Sequence, residues 1–374
     1  MAMDQKEFNG KLERCTSKQE KIALLDAFAE QQFEKGNFAL ARKYYVQAMD
    51  LERQNNIRAY FAGRVGICHY NAGEDREALQ HLLKSARLFQ PDQPEFMPDM
   101  YGIVYFYLGS LYEYHGKVAK SLEARRICEQ YIDSQEKDTK WMLYAGISRN
   151  YEALGKHDDA IRYSQKAIQV LSDNDPGLTY LYETMANNYM GLKQYSEAIK
   201  YFSKVLELDP NFERRDDIYL KLADCYHRLA NHQRALESYK KILELKQLTG
   251  ARENLTWLYI RIAHCYFQTE QFEKSLLTTL EALRRRPRNR SERAELRSYL
   301  TNNYYELGRY QEAVAEAAKT LQLAKRFPGD NIFYVRLALA YYKLGDKKAF
   351  KRYRTLCRRR FRDDTWNNYL AKLM

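Results

Sequence analysis

The residues able to do chemistry are seven histidines and six cysteines spread over 374 positions. A metal-bound water or an activated thiolate needs its partners at short, recognisable spacing. The cysteines, at 15, 68, 128, 225, 265 and 357, form no Cys-x-x-Cys pair. The chain contains no His-Glu-x-x-His, no phosphate-cradling Gly-x-x-x-x-Gly-Lys-Ser/Thr and no Gly-x-Ser-x-Gly turn. His227 and His264 fall on a candidate binding stripe developed below, but no cysteine or carboxylate accompanies them at ligand spacing. The expectation is a protein that is not an enzyme, with no catalytic residue, no cofactor and no metal.

Arginine could bind where it does not react. Arg284, Arg285, Arg286, Arg288 and Arg290 lie within RRRPRNR at 284–290, and Arg358, Arg359 and Arg360 within KRYRTLCRRRFR at 351–362. Such clusters attract phosphate, anionic lipid or an acidic partner, and the first resembles a nuclear-import signal in composition. The competing reading is a solvated helix end, where cations oppose the partial negative charge of the last carbonyls. The formal charge of +12 is one-sided: residues 251–374 hold 26 Lys and Arg against 13 Asp and Glu, a net of +13, and the remainder 35 against 36. An acidic partner surface is the expectation. Nucleic acid is the weaker alternative, because few aromatic stacking platforms are interleaved with these arginines.

The elements that must carry these groups are repeated. Nine turn segments recur, from KGNFALA to LGDKKA, each followed by a small residue: Ala41, Ala78, Ser121, Ala160, Ala198, Ala235, Ser275, Ala313 and Ala349. Before each turn stands a second small residue: Ala29, Gly66, Gly109, Ser148, Ala186, Ala223, Ala263, Thr301 and Ala338. Three residues after it comes a tyrosine in seven of the nine copies, and one residue before it an apolar side chain in all. Offsets of three and four mark one helical face. Two antiparallel helices approach closely only where small side chains meet, so each copy reads as a helical hairpin. Such a hairpin cannot bury its apolar face alone, and so it stacks on the next. The prolines (91, 94, 98, 176, 210, 287, 328) are expected between hairpins, with QPDQPEFMPDM at 90–100 as a local hinge. Cys68, Cys225 and Cys265 fall on the apolar face and read as reduced core residues.

This small–x–x–Tyr helix end, the Gly-(Asp/Asn)-(Tyr/Phe) turn and the Glu-Ala start, as in LKQYSEAIKYFSKVLELDPNF, resemble the tetratricopeptide repeat. The units run longer than the family's usual 34 residues, in which they are similar to bacterial peptide receptors and regulatory scaffolds. The resemblance implies an all-α superhelical solenoid in a single domain. Its repeats are expected at roughly 22–58, 59–101, 102–140, 141–178, 179–215, 216–255, 256–293, 294–330 and 331–364, with a capping helix over 365–374. It also implies that the first helix of each hairpin lines a concave surface.

Function is then expected where that surface varies. Tyr180 and Trp257 stand six before the small residue; Arg149, Asn187, Asp224, His264 and Asn302 one after it; His227 and Tyr305 four after it. Glu113, Phe267 and Glu295 share the stripe. Amide side chains pair with both N–H and C=O of an extended backbone, and aromatic rings add stiff apolar contact. Family members that clamp a terminal carboxylate place a lysine one turn from the asparagine, whereas here Glu183, itself an expected contact for the ligand, stands four before Asn187 and Ser298 four before Asn302; a carboxylate clamp is not expected. The reading is a cytoplasmic interaction scaffold or adaptor that binds a protein or peptide ligand. The alternatives are a signalling-peptide receptor or regulatory subunit of a transcription or kinase pathway, and an electrostatic binder acting through the basic third. No apolar run approaches the roughly 18 residues of a membrane span, and the start MAMDQKEFNG does not read as a secretory leader.

Overall fold

The computed structural model describes residues 3–132, 137–173, 175–248, 255–327, 330–360 and 364–373. All their regular structure is helical. The chain divides into two compact units, Met1–Gln194 and Tyr195–Met374.

The first unit opens with α1 (Gln5–Arg14), a helix outside the repeat. It holds α2 (Lys18–Glu34), α3 (Phe38–Leu51), α4 (Asn55–Asn71), α5 (Asp75–Leu88), α6 (Pro98–Tyr114), α7 (Val118–Tyr131), α8 (Lys137–Ala153), α9 (His157–Ile168) and α10 (Gly177–Gly191). The second unit holds α11 (Tyr195–Leu208), α12 (Arg215–Arg228), α13 (His232–Leu248), α14 (Thr256–Gln268), α15 (Phe272–Arg284), α16 (Arg290–Glu306), α17 (Tyr310–Leu323), α18 (Asp330–Lys343), α19 (Lys347–Arg360) and α20 (Asp364–Ala371). In each unit consecutive helices pack antiparallel and alternate helices touch, as in α4 with α6 and α14 with α16. This is the hairpin stacking of the expected solenoid.

The small residues sit where the helices meet. All nine small residues before the turns (Ala29 to Ala338) are buried, as are eight of the nine after them. Pairs twelve apart are close enough to bond: Ser121 Oγ donates to the Gly109 carbonyl at 2.7 Å, Ser148 Oγ to that of Ala160 at 2.7 Å, and Ser275 Oγ to that of Ala263 at 2.9 Å. The ninth hairpin departs from the pattern. Twelve residues beyond Ala338 stands Phe350, buried, while Ala349 is half-exposed.

Every turn closes in one way. Seven residues after the small residue that precedes each turn the backbone is left-handed, at Gly36, Gly73, Gly116, Gly155, Gly308 and Gly345 but also at Lys193, Ala230 and Glu270. The next N–H then bonds back across the turn, as Asn231 does to the Tyr226 carbonyl at 2.8 Å and Gln271 to that of Tyr266 at 2.9 Å. This satisfies a carbonyl that the helix end would otherwise leave open.

Segment 90–100 is bonded to α4: Asn56 Nδ2 donates to the carbonyls of Gln90 (3.2 Å) and Pro94 (2.9 Å), and its Oδ1 accepts from Gln90 N–H at 2.7 Å. Phe89, Phe96, Tyr101 and Tyr131 interlock around it. Pro98, expected between hairpins, is the first residue of α6, where a missing N–H breaks no bond. Pro328 lies outside the described residues.

The ends are covered. On α1, Phe8 stacks on Phe28 at 4.1 Å. On α20, Leu370 is buried in the cluster built on Phe333, Leu337 and Phe350. None of the six cysteines is in a disulfide, and burial pushes the thiols of Cys225, Cys265 and Cys357 up to about 12. Among the described residues no helix is long and apolar enough to cross a membrane.

Candidate binding surface

In the first unit the expected stripe is tied to itself. Arg149, on α8, lies 2.6 Å from Glu113 on α6, and its guanidinium sits 5.7 Å from the centre of the Tyr180 ring on α10. Glu113 also takes a 2.5 Å contact from Arg125, which is 2% exposed and donates to the Gly146 carbonyl at 3.0 Å. Burial pulls the Arg125 pKa down; its shared carboxylate is what keeps the buried cation paired. Glu183 is buried and Asn187 half-buried on the same helix as Tyr180.

In the second unit three expected residues come together. His227, His264 and Asn302, from α12, α14 and α16, line one cavity of about 240 Å³ with Arg261, Phe267, Glu295 and Tyr299. Asn302 is buried, and its Oδ1 has no hydrogen-bond partner among the described residues. The His264 Nδ1 lies 2.9 Å from the Tyr299 hydroxyl. Burial, then the neighbouring His227, His232 and Arg261, push the His264 pKa down to about 4. His227 is lowered too, chiefly by burial and then by His232. Both imidazoles are therefore neutral at pH 7.

Tyr305 lines a second cavity of about 440 Å³ with Arg336, Leu339, Trp366 and Tyr369, and Ile332 borders both. Trp366 and Tyr369 are 43% and 49% exposed. Asp224 is exposed and accepts from the Tyr239 hydroxyl at 3.4 Å, and Trp257 is 38% exposed. Neither borders these cavities.

Sequence reasoning passed over Arg261 and Tyr299. Both stand two before the small residue, one helical turn from the sixth-before and the first-after positions, so the same face continues through them. The periodicity was sufficient to include them. Trp366 and Tyr369 come from the cap, which no repeat register could place.

The basic clusters divide. Arg284 and Arg285 lie 3.8 and 3.5 Å from Glu281, Arg285 also covers Tyr259, and Arg290 donates to the Gln322 carbonyl at 3.1 Å. Arg286, Arg288 and Arg358 are exposed. Arg360 is held by the Lys325 carbonyl at 2.7 Å, by Asp330 at 3.4 Å and over the Tyr334 ring. Arg359 lines a cavity of about 680 Å³ with Lys325, Lys348, Lys351, Arg352 and Tyr353, and among the described residues no carboxylate borders it.

Three tetratricopeptide-repeat family models match the sequence, at residues 180–212, 214–288 and 301–350. No curated protein matches it. Among solved structures it is similar to the C-terminal part of a TPR repeat-containing protein from Cytophaga hutchinsonii, with a TM-score of 0.53 and 20% identity, covering 72% of this chain and 98% of that one. It is also similar to the apo form of RapI, with a TM-score of 0.50 and 12% identity, covering 94% and 97%. At these identities the likeness is one of fold.

Proposed function

Because the chain belongs to the tetratricopeptide-repeat family, we propose that it is a non-catalytic interaction scaffold whose second unit seats an extended peptide or partner segment along α12, α14, α16 and α18. The observation that carries this reading is the orphaned Asn302 amide oxygen on the wall of an aromatic-lined cavity. A buried acceptor without a partner is costly in the free protein, by roughly 1–3 kcal/mol. A peptide N–H is the group that would satisfy it. Phe267, Tyr299, Tyr305 and Trp366 supply apolar contact along the two cavities. The test is a titration of the full chain with peptides selected on it from a display library. One saturable site is expected, weakened at least fivefold by Asn302→Ala. Unchanged affinity in that variant would remove the assignment.

A second reading rests on its own observation, the cavity between the end of α17 and helices α18 and α19, lined by five cations and, among the described residues, by no carboxylate. It favours an acidic ligand in the basic third. The residues that serve it are Lys351, Arg352 and Arg359 in place of the expected trio, since Arg360 is already engaged.

A further inference from the structure

The turn between α12 and α13 and the neighbouring α14 bring three imidazoles together. His227 stands in the last turn of α12, His232 opens α13, and His264 lies on α14. One ring nitrogen from each lies within 4.8 Å of the other two, and no other three-residue group of His, Cys, Asp or Glu among the described residues does this. Ring centroids are 5.3 Å apart for His227 and His264, 5.5 Å for His227 and His232, and 5.9 Å for His232 and His264.

Three details beyond proximity suit a metal ion. The ring planes meet at 68°, 61° and 84°, so in-plane lone pairs can approach one point from different directions. The His232 Nδ1 is buried with no hydrogen-bond partner among the described residues. The Tyr299 hydroxyl engages His264 at Nδ1 and leaves Nε2 available, the supporting contact that orients a ligating histidine.

We propose that His227, His232 and His264 form a binding site for a divalent ion of the zinc type. Neutral imidazole suits this ion, and three protein ligands leave a fourth position for water or a ligand atom. Zn–N bonds of about 2.0–2.1 Å put tetrahedral nitrogens about 3.3 Å apart. Each ring therefore moves inward by at most about 1 Å, within reach of a small side-chain rotation. Arg261 lines the same cavity and opposes a dication, while Asp224 on α12 and Glu295 on α16 are the carboxylates near the group. Arg261 is exposed, so water and salt weaken its effect. The spacings of five and 32 residues match no ligand motif; only the hairpin stack joins them. The inference goes beyond peptide binding and is tested with metal alone, so the two fail separately.

The experiment uses the full chain, stripped with chelator, titrated with Zn²⁺ by calorimetry and with Co²⁺ by visible absorption. The expected result is one ion per chain and the absorption bands of a low-coordinate nitrogen site. His227→Gln and His232→Gln should each weaken binding at least tenfold, and Tyr299→Phe about tenfold. Arg261→Gln should tighten it severalfold, a gain that damaged folding would not produce. His115→Gln, at an exposed histidine of the first unit, should leave it unchanged. Absence of the Co²⁺ bands, or binding indifferent to His227→Gln and His232→Gln, overturns the proposal.

Discussion

At the scale of single residues, Asn302 and Arg125 meet burial in different ways. Asn302 carries an unsatisfied oxygen, so Asn302→Ala should raise the chemical-denaturation midpoint, worth about 1 kcal/mol, while it weakens peptide binding. A fall in both would mark Asn302 as structural. Arg125 has the reverse design: its buried charge is paired with Glu113, which also serves Arg149. Removing one partner of a buried pair leaves an uncompensated ion, so Glu113→Ala should destabilise the protein by about 3 kcal/mol. A change below about 0.5 kcal/mol in urea unfolding would show that solvent reaches the guanidinium.

At the scale of elements, the turn sets the cost of each hairpin. Lys193 and Ala230 adopt φ of 60° and 55° where most copies use glycine. A left-handed residue with a Cβ is disfavoured by roughly 1–2 kcal/mol. Lys193→Gly and Ala230→Gly should therefore each stabilise by about 1 kcal/mol, less the extra entropy of an unfolded glycine; a lowered midpoint would refute this. The helix crossing is equally strict. Ala223 is fully buried, twelve residues before the fully buried Ala235, so Ala223→Leu should wedge its hairpin at about 1–3 kcal/mol. Thermal or urea unfolding reads that loss directly.

At the scale of the whole molecule, charge is the distinctive property. The excess lies in residues 251–374, and part of it lines the cavity with Lys348, Lys351 and Arg359. Polyglutamate is expected to bind the chain with an affinity that falls as salt screens the contact. Combining Lys351→Gln, Arg352→Gln and Arg359→Gln should remove most of that salt dependence. Replacing Arg284 and Arg285, which face Glu281, should change it little. The reverse ranking would move the acidic site to the end of α15.

The amino-acid sequence by itself determined the helices, their pairing and the crossing points. These depend on periodicity and residue size, which act between neighbours twelve residues apart. It also marked the face on which His227, His264 and Asn302 lie. Tertiary structure alone decided which members of that face share a cavity, that Arg149 is already paired, that Asn302 has no partner and that His232 joins His227 and His264. It also decided that Arg360 is engaged while Arg359 borders a cavity. Those outcomes depend on distances between side chains of different helices. No spacing along the chain encodes such distances, because burial and neighbouring charge act through space.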